Sequence, residues 1–97
     1  MQISVRFFTR LREIVGKKEE SLSFPDGSHV TVNTVLDVLV QRYGEYFREY
    51  VYDKTTGTVR EFLQFLINGQ NIASASRLQA ELKDGDVLAI LPPVGGG

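Results

Sequence analysis

The glycines at the end of the printed sequence are the residues best suited to chemistry. The chain ends in Val94-Gly95-Gly96-Gly97, directly after Leu91-Pro92-Pro93. Glycine has no side chain to pack and loses the most backbone entropy on ordering, so a glycine run contributes little to a folded core. A terminal glycine instead offers an unhindered carboxylate on a chain thin enough to enter a narrow channel of another protein. We therefore interpret Gly96 and Gly97 as a reactive terminus.

The two prolines suit the approach to such a terminus. Proline fixes its own φ and pushes the preceding residue towards extended geometry, so Pro92 and Pro93 favour an extended lead-in. At ~3.3 Å per residue, residues 92–97 would reach roughly 20 Å. We predict a folded domain over residues 1–91 and a flexible tail over residues 92–97. An inert end or a cloning linker is the alternative, although Pro-Pro-Val is not typical linker composition.

Composition excludes several kinds of site. The 97 residues fit one domain, and the absence of cysteine excludes a disulfide framework, a thiolate nucleophile and a Cys-ligated metal. A net charge of -1 gives no general attraction for nucleic acid or acidic membranes, and no apolar run approaches the ~20 residues of a membrane span. The single His29 follows a turn sequence and is interpreted as a loop residue. We expect no metal, no bound cofactor, no nucleic-acid partner and no membrane partner. Because the N-terminus lacks a signal-peptide pattern, we also expect a cytoplasmic location.

Hydrophobic periodicity predicts the elements that would carry the tail. Alternating apolar residues or short apolar runs predict strands from residue 3 and over residues 22–24, 62–67, 70–72 and 87–91. Asn68-Gly69 favours a tight I′ turn between the third and fourth of these strands. If the first and last strands pair in parallel, the last strand lies in mid-sheet and delivers the tail from there.

The helical pattern is clearest over residues 32–43, where apolar residues recur every three or four positions. Thr31 is the predicted N-cap and Gly44 the stop. A shorter helix is predicted before Gly16, and residues 46–52 form a helical turn or an irregular segment. The order of elements predicts an α+β domain, a β-grasp with a mixed sheet packed on one main helix. The predicted core includes Ile3, Val5, Phe7, Leu36, Leu39, Leu88 and Ile90.

Several segments together resemble those of a known family. They are Phe7–Gly16, Thr31–Gly44, Ile67–Ile72 and Leu82–Val87, followed by Leu91-Pro92-Pro93-Val94 and the final Gly96-Gly97. The chain resembles the ubiquitin-like sulfur carriers, and among them most closely the small subunits of molybdopterin synthase. Two features depart from the family pattern: residues 45–61 are longer than a minimal member needs, and Gly95 adds a third glycine.

The resemblance implies a function for the tail. A separate enzyme of the ubiquitin-activating type would use ATP to adenylate Gly97. A persulfide sulfur would then replace AMP and leave a thiocarboxylate. In the family, this sulfur goes to a pterin precursor in a complex with the large synthase subunit, forming the dithiolene of molybdenum or tungsten cofactor. The chain would then be a non-catalytic sulfur-donor subunit that binds no cofactor itself.

Phe8 and Leu91 are the candidate docking residues of the folded domain. If the Ile3 face of the first strand packs on the helix, Phe8 lies on the opposite face, beside Leu91. An exposed aromatic residue next to the tail is a plausible anchor for a partner, together with residues Pro92, Pro93, Val94 and Gly95. The alternative is that Phe8 covers an edge of the core.

Three other functions stay open on the sequence. The chain could be a protein modifier joined through Gly97 to lysines of target proteins, because the same adenylate serves both outcomes. Less favoured is sulfur transfer to thiamine thiazole, whose carriers are typically shorter and lack the Pro-Pro lead-in. The last is a β-grasp interaction domain with an inert tail. The sequence does not assign a role to residues 45–61.

Overall fold

The computed structural model describes residues 1–72 and 76–92. The strands are β1 (Gln2–Phe7), β2 (Glu19–Ser23), β3 (Val30–Thr31), β4 (Gln64–Ile67), β5 (Gln70–Asn71), β6 (Glu81–Leu82) and β7 (Val87–Leu91). The helices are α1 (Thr9–Val15), α2 (Val32–Tyr43) and α3 (Glu45–Val51), with one 3₁₀ turn at Arg77–Gln79.

The main sheet places the last strand at its centre. Its five strands are ordered β2-β1-β7-β4-β5. β1 and β7 run parallel, with Val5 opposite Leu88 and Phe7 opposite Ile90. β2 and β4 pair antiparallel with β1 and β7 respectively. This mixed sheet, packed on α2, confirms the predicted α+β β-grasp.

The core forms where alternating strand residues meet the apolar stripe of α2. All seven residues predicted for the core are at most 1% exposed: Ile3, Val5, Phe7, Leu36, Leu39, Leu88 and Ile90. The ends of α2 are also as predicted. The Thr31 hydroxyl accepts a hydrogen bond from the Thr34 backbone N–H at 3.2 Å, and Gly44 ends the helix at a φ of 81°, a left-handed value that favours glycine.

The start of β7 is fixed by side chains of the neighbouring turns. Asn68 has a φ of 51° and Gly69 of 83°, as a I′ turn requires. The Asn68 amide donates to the Asp86 carboxylate at 2.9 Å, and its carbonyl oxygen accepts from the Val87 backbone N–H at 2.9 Å. The other Asp86 oxygen accepts from the Lys83 backbone N–H at 2.8 Å. The Asn68-Gly69 turn and the turn at 83–86 therefore lock together where β7 begins.

The structure corrects two local predictions and adds one strand pair that was not predicted. The strand predicted over residues 62–67 begins at Gln64, and Phe62 lies in a turn before it. Residues 45–51 form a full helix, α3, rather than a single turn. The two-residue pair of β3 and β6 was not predicted, because neither segment is long enough to show a period.

A buried carboxylate joins β2 to the end of α2. Glu20 is 7% exposed and accepts hydrogen bonds from Lys17, Arg42 and Tyr43. Burial alone would raise the pKa of Glu20, but these donors outweigh it and lower the pKa from 4.5 to about 2. The ionised form is therefore the one that stabilises the fold.

Glu20→Gln is expected to reduce the free energy of unfolding at neutral pH by about 1–3 kcal/mol. Because the folded-state pKa is depressed, the contribution is full above pH 4.5 and is lost as the pH falls towards about 2. Urea unfolding of both proteins across this range measures the difference. If the difference in the free energy of unfolding between the two proteins did not shrink on acidification, the assigned role of the carboxylate would be contradicted.

Candidate functional site

The chain leaves the sheet at the end of β7, next to the end of β1. β1 and β7 are parallel and end at the same edge, since Phe7 lies opposite Ile90. The next residues, Phe8 and Leu91, therefore lie at the same end of adjacent strands. Beyond Pro92 the chain passes out of the described residues. Pro93, Val94, Gly95, Gly96 and Gly97 lie outside them, so the role of these five residues and the boundary between domain and tail stay predictions.

Phe8 links β1 to α1. Its backbone is extended, with φ -128° and ψ 151°, and α1 begins at the next residue. The side chain is half-buried rather than fully exposed. The guanidinium carbon of Arg6 lies 5.9 Å from the centroid of the Phe8 ring, within the range of a cation–π contact. Phe8 is thus held at the edge while part of its ring stays accessible.

The sheet carries apolar side chains on the face away from α2. Phe65, Leu88 and Ile90 point into the core, so the alternate residues of β4 and β7 point to the opposite face. Leu66, Ala89 and Leu91 are half-buried and do not belong to the core cluster. Ala89 lies opposite Leu66 in the β4–β7 ladder. Together with Phe8, these residues form what we call the outer patch: Phe8, Leu66, Ala89 and Leu91.

The sequence identified only half of the outer patch. Phe8 and Leu91 were predicted as docking residues, a role that stays a prediction, and they lie at the end of β1 and β7 where residue 92 follows, as expected from the strand register. Leu66 and Ala89 were missed. The signal was present, because alternation within β4 and β7 assigns Leu66 and Ala89 to the outer face once Phe65 and Ile90 are placed in the core. The patch offers contact surface and no group suited to acid–base or nucleophilic catalysis.

Metal ligands, the single histidine and membrane-spanning helices were the other features considered in the sequence. Within residues 1–72 and 76–92, no cluster of three or more His, Cys, Asp or Glu residues is arranged to hold a metal ion. His29 is exposed in the loop before β3, with its Nδ1 3.3 Å from a carboxylate oxygen of Glu81. None of the helices in these same segments is long and apolar enough to cross a membrane.

The sequence of this chain matches a known protein family and two characterised relatives. The ThiS family matches residues 5–97. The chain is 32% identical to small archaeal modifier protein 3 of Haloferax volcanii over 97 residues, all of both chains. It is 30% identical to the molybdopterin synthase sulfur carrier subunit of Chlamydomonas reinhardtii, again over all of both chains.

Solved structures with a similar fold belong to the same group of proteins. The crystal structure of small archaeal modifier protein 1 from Haloferax volcanii superposes with a TM-score of 0.81 at 27% identity, covering 100% of both chains. A chain of the BexX/CysO complex of Amycolatopsis orientalis superposes with a TM-score of 0.70 at 28% identity, covering 98% of this chain and 99% of that one. Relatives of this chain thus include proteins that form complexes with partner proteins. The chain belongs to the ThiS family of ubiquitin-like sulfur carriers and modifiers.

Proposed function

We propose that this protein is the sulfur-carrier subunit of a molybdopterin synthase, which delivers sulfur as a thiocarboxylate on Gly97. The observation that carries the proposal is the exit of the chain from the central strand β7, beside the outer patch. A partner that binds the patch receives the tail at the same time. The full-length similarity to the sulfur carrier subunit of Chlamydomonas reinhardtii supports the same function.

The chemistry requires activation of the carboxylate. A terminal carboxylate has a pKa near ~3.5, so it is ionised at neutral pH and is a poor acyl donor. In the proposed sequence, a carboxylate oxygen of Gly97 attacks the α-phosphorus of ATP and pyrophosphate leaves. The terminal sulfur of a persulfide then attacks the acyl carbon and AMP leaves. A second thiol cleaves the resulting acyl disulfide, which releases the thiocarboxylate.

Two partners share this work. An adenylating enzyme of the ubiquitin-activating type uses ATP, and this chain itself binds no cofactor in the proposal. The large synthase subunit then receives the thiocarboxylate and directs its sulfur to the pterin precursor. The tail supplies the reacting group, while the folded domain supplies the surface that docks it. Glycine at both final positions keeps the carbonyl accessible in a narrow channel.

Phe8→Ala is expected to weaken binding to the large synthase subunit by ~1–3 kcal/mol, the range for a central aromatic contact. Titration calorimetry measures the affinity, and a thermal melt shows whether the fold is intact. Phe8→Leu is the matched control, because it keeps an apolar side chain of similar reach and should retain most of the affinity. Equal affinity of Phe8→Ala and the wild type would leave Phe8 as a residue of the core edge.

A second function is favoured by a specific observation. The chain matches small archaeal modifier protein 3 over its full length at 32% identity. In a modifier, a lysine amine of a target protein would attack the carbonyl of the Gly97 adenylate, which forms an isopeptide bond as AMP leaves and the amine loses a proton. Sulfur transfer to thiamine thiazole is the less favoured third possibility.

The mass of the protein purified from its own cells separates these outcomes. A carrier shows exchange of one oxygen for sulfur on the intact chain. A modifier shows a ladder of conjugates in which Gly97 is linked to lysines of other proteins. Finding neither species in cells grown under conditions that require molybdenum or tungsten enzymes would contradict both functions.

A further inference from the structure

One large apolar side chain is exposed at the end of the sheet where the chain departs. Phe62 is 46% exposed, and only Tyr46 on α3, at 76%, is a more exposed large hydrophobic residue in the described part of the chain. Exposed aromatic residues are costly to leave in water and are enriched among the anchors of protein interfaces. Phe62 has no role in the core or in the outer patch.

The turn that carries Phe62 is held from within by a buried arginine. Arg77 is 8% exposed. Its guanidinium donates to the carbonyl oxygens of Leu63 at 2.6 Å, Arg60 at 2.9 Å and Val59 at 3.2 Å. It also lies over the Phe65 ring, with its carbon 5.3 Å from the centroid.

Burial of a charged group is unfavourable unless it is well hydrogen-bonded. Among the described residues, Arg77 forms no ion pair with a carboxylate, and its donors converge on the carbonyls of one surface turn. Residues 59–63 are therefore fixed before any partner arrives. A side chain on a fixed turn loses less entropy on binding, which is the property of a preorganised anchor.

The register places Phe62 on the far side of the departing chain from Phe8. Gln64 lies opposite Leu91 in the β4–β7 ladder, and Phe62 precedes Gln64 by two residues. Phe8 extends from β1, on the other side of β7. Phe8 and the turn that carries Phe62 therefore lie on opposite sides of β7, at the end where residue 92 follows.

Each of these aromatic residues has an arginine over its ring. The Arg60 guanidinium carbon lies 6.0 Å from the Phe62 centroid, and Arg6 lies over Phe8. Arg60 donates through Nε and Nη2 to the Glu49 carbonyl, at 3.3 and 3.0 Å. Within the described residues neither arginine pairs with a carboxylate, so both charges are available to an acidic partner surface.

We propose that Phe62 is a second docking anchor, bound by the enzyme that adenylates the tail. This rests on the proposed function of Gly97. The partner surface would hold an apolar pocket beside its tail channel, with carboxylates facing Arg60 and Arg6. The adenylating enzyme is the occupant because activation precedes both sulfur transfer and lysine conjugation. The adenylating enzyme must therefore bind the surface around the end of β7 whether sulfur transfer or lysine conjugation follows.

Steady-state ATP–pyrophosphate exchange with the adenylating enzyme of the same organism tests the anchor. Phe62→Ala is expected to raise the half-saturating concentration of this protein at least tenfold, with the maximal rate unchanged, because the anchor acts in docking and the tail is intact. Phe62→Leu should restore most of the affinity. Tyr46→Ala is the matched control, since it removes an exposed aromatic residue from α3 and should behave as the wild type.

The outcomes separate the two proposals. If Phe62→Ala saturates the enzyme like the wild type while Gly97→Phe is inactive, the anchor is refuted and the function of the tail stands. If Gly97→Phe is adenylated normally, or the enzyme does not use the wild-type chain, the proposed function fails and the anchor with it. A thermal melt of Phe62→Ala that matches the wild type shows that a weaker interaction does not come from unfolding.

Discussion

Gly97→Phe is expected to abolish adenylation and sulfur transfer while leaving the stability of the domain unchanged. A bulky side chain next to the terminal carbonyl would block a channel shaped for glycine. The reacting carboxylate must come within about 3–3.5 Å of the attacked atom, so even a small displacement of the carboxylate should greatly reduce the rate of adenylation. ATP–pyrophosphate exchange with the adenylating enzyme measures the first step, and intact mass measures the thiocarboxylate.

Deletion of Gly97 tests the same claim as Gly97→Phe, by shortening the tail. Removing one residue withdraws the carboxylate by ~3.3–3.6 Å, which should also prevent reaction. However, the chain has a spare glycine at 95, and slippage could leave Gly95-Gly96 as a new terminal pair with partial activity. Slippage cannot rescue Gly97→Phe, because the bulky side chain stays at the end of the chain. Wild-type rates of adenylation and sulfuration for Gly97→Phe would show that the tail is not the reactive element, and an interaction domain with an inert tail would take its place.

Leu39→Ala should lower the free energy of unfolding by about 2–5 kcal/mol. Leu39 is 0% exposed in the stripe by which α2 contributes to the core, so truncation loses apolar burial and leaves a cavity. Denaturant unfolding measures the loss as a lower midpoint with an unchanged slope. Gln41→Ala is the control on the same helix, because Gln41 is exposed and its truncation should change stability by no more than about 0.5 kcal/mol. A loss of only a few tenths of a kcal/mol for Leu39→Ala would exclude it from the core.

The sheet and main helix could be predicted from sequence because their signals are local and periodic. Alternation from Ile3 to Phe7 and the spacing of Val32, Val35, Leu36 and Leu39 each define a buried face without knowledge of the rest of the chain. The caps at Thr31 and Gly44 and the turn at Asn68-Gly69 are local as well. These elements also fix the register at the end of β7, which is why Phe8 and Leu91 could be placed beside the tail.

The remaining features depend on contacts between distant segments. Nothing around Arg77 in the sequence shows that its guanidinium is buried against carbonyls of residues 59–63, which lie 14 to 18 positions away. The apolar run at 62–67 is equally misleading, since Phe62 continues the apolar pattern of a strand but lies in the turn whose carbonyls bind that same arginine. Glu20 is similar, because its donors Arg42 and Tyr43 come from another element.

The most direct test of the central claim is the intact mass of the wild-type protein after incubation with its adenylating enzyme, ATP, a persulfide donor and a reducing thiol. We predict replacement of one oxygen by sulfur, located at Gly97 by fragmentation and dependent on ATP. An unchanged mass, with an enzyme preparation that is active on another carrier of the same family, would contradict the assignment of Gly97 as the sulfur-bearing residue.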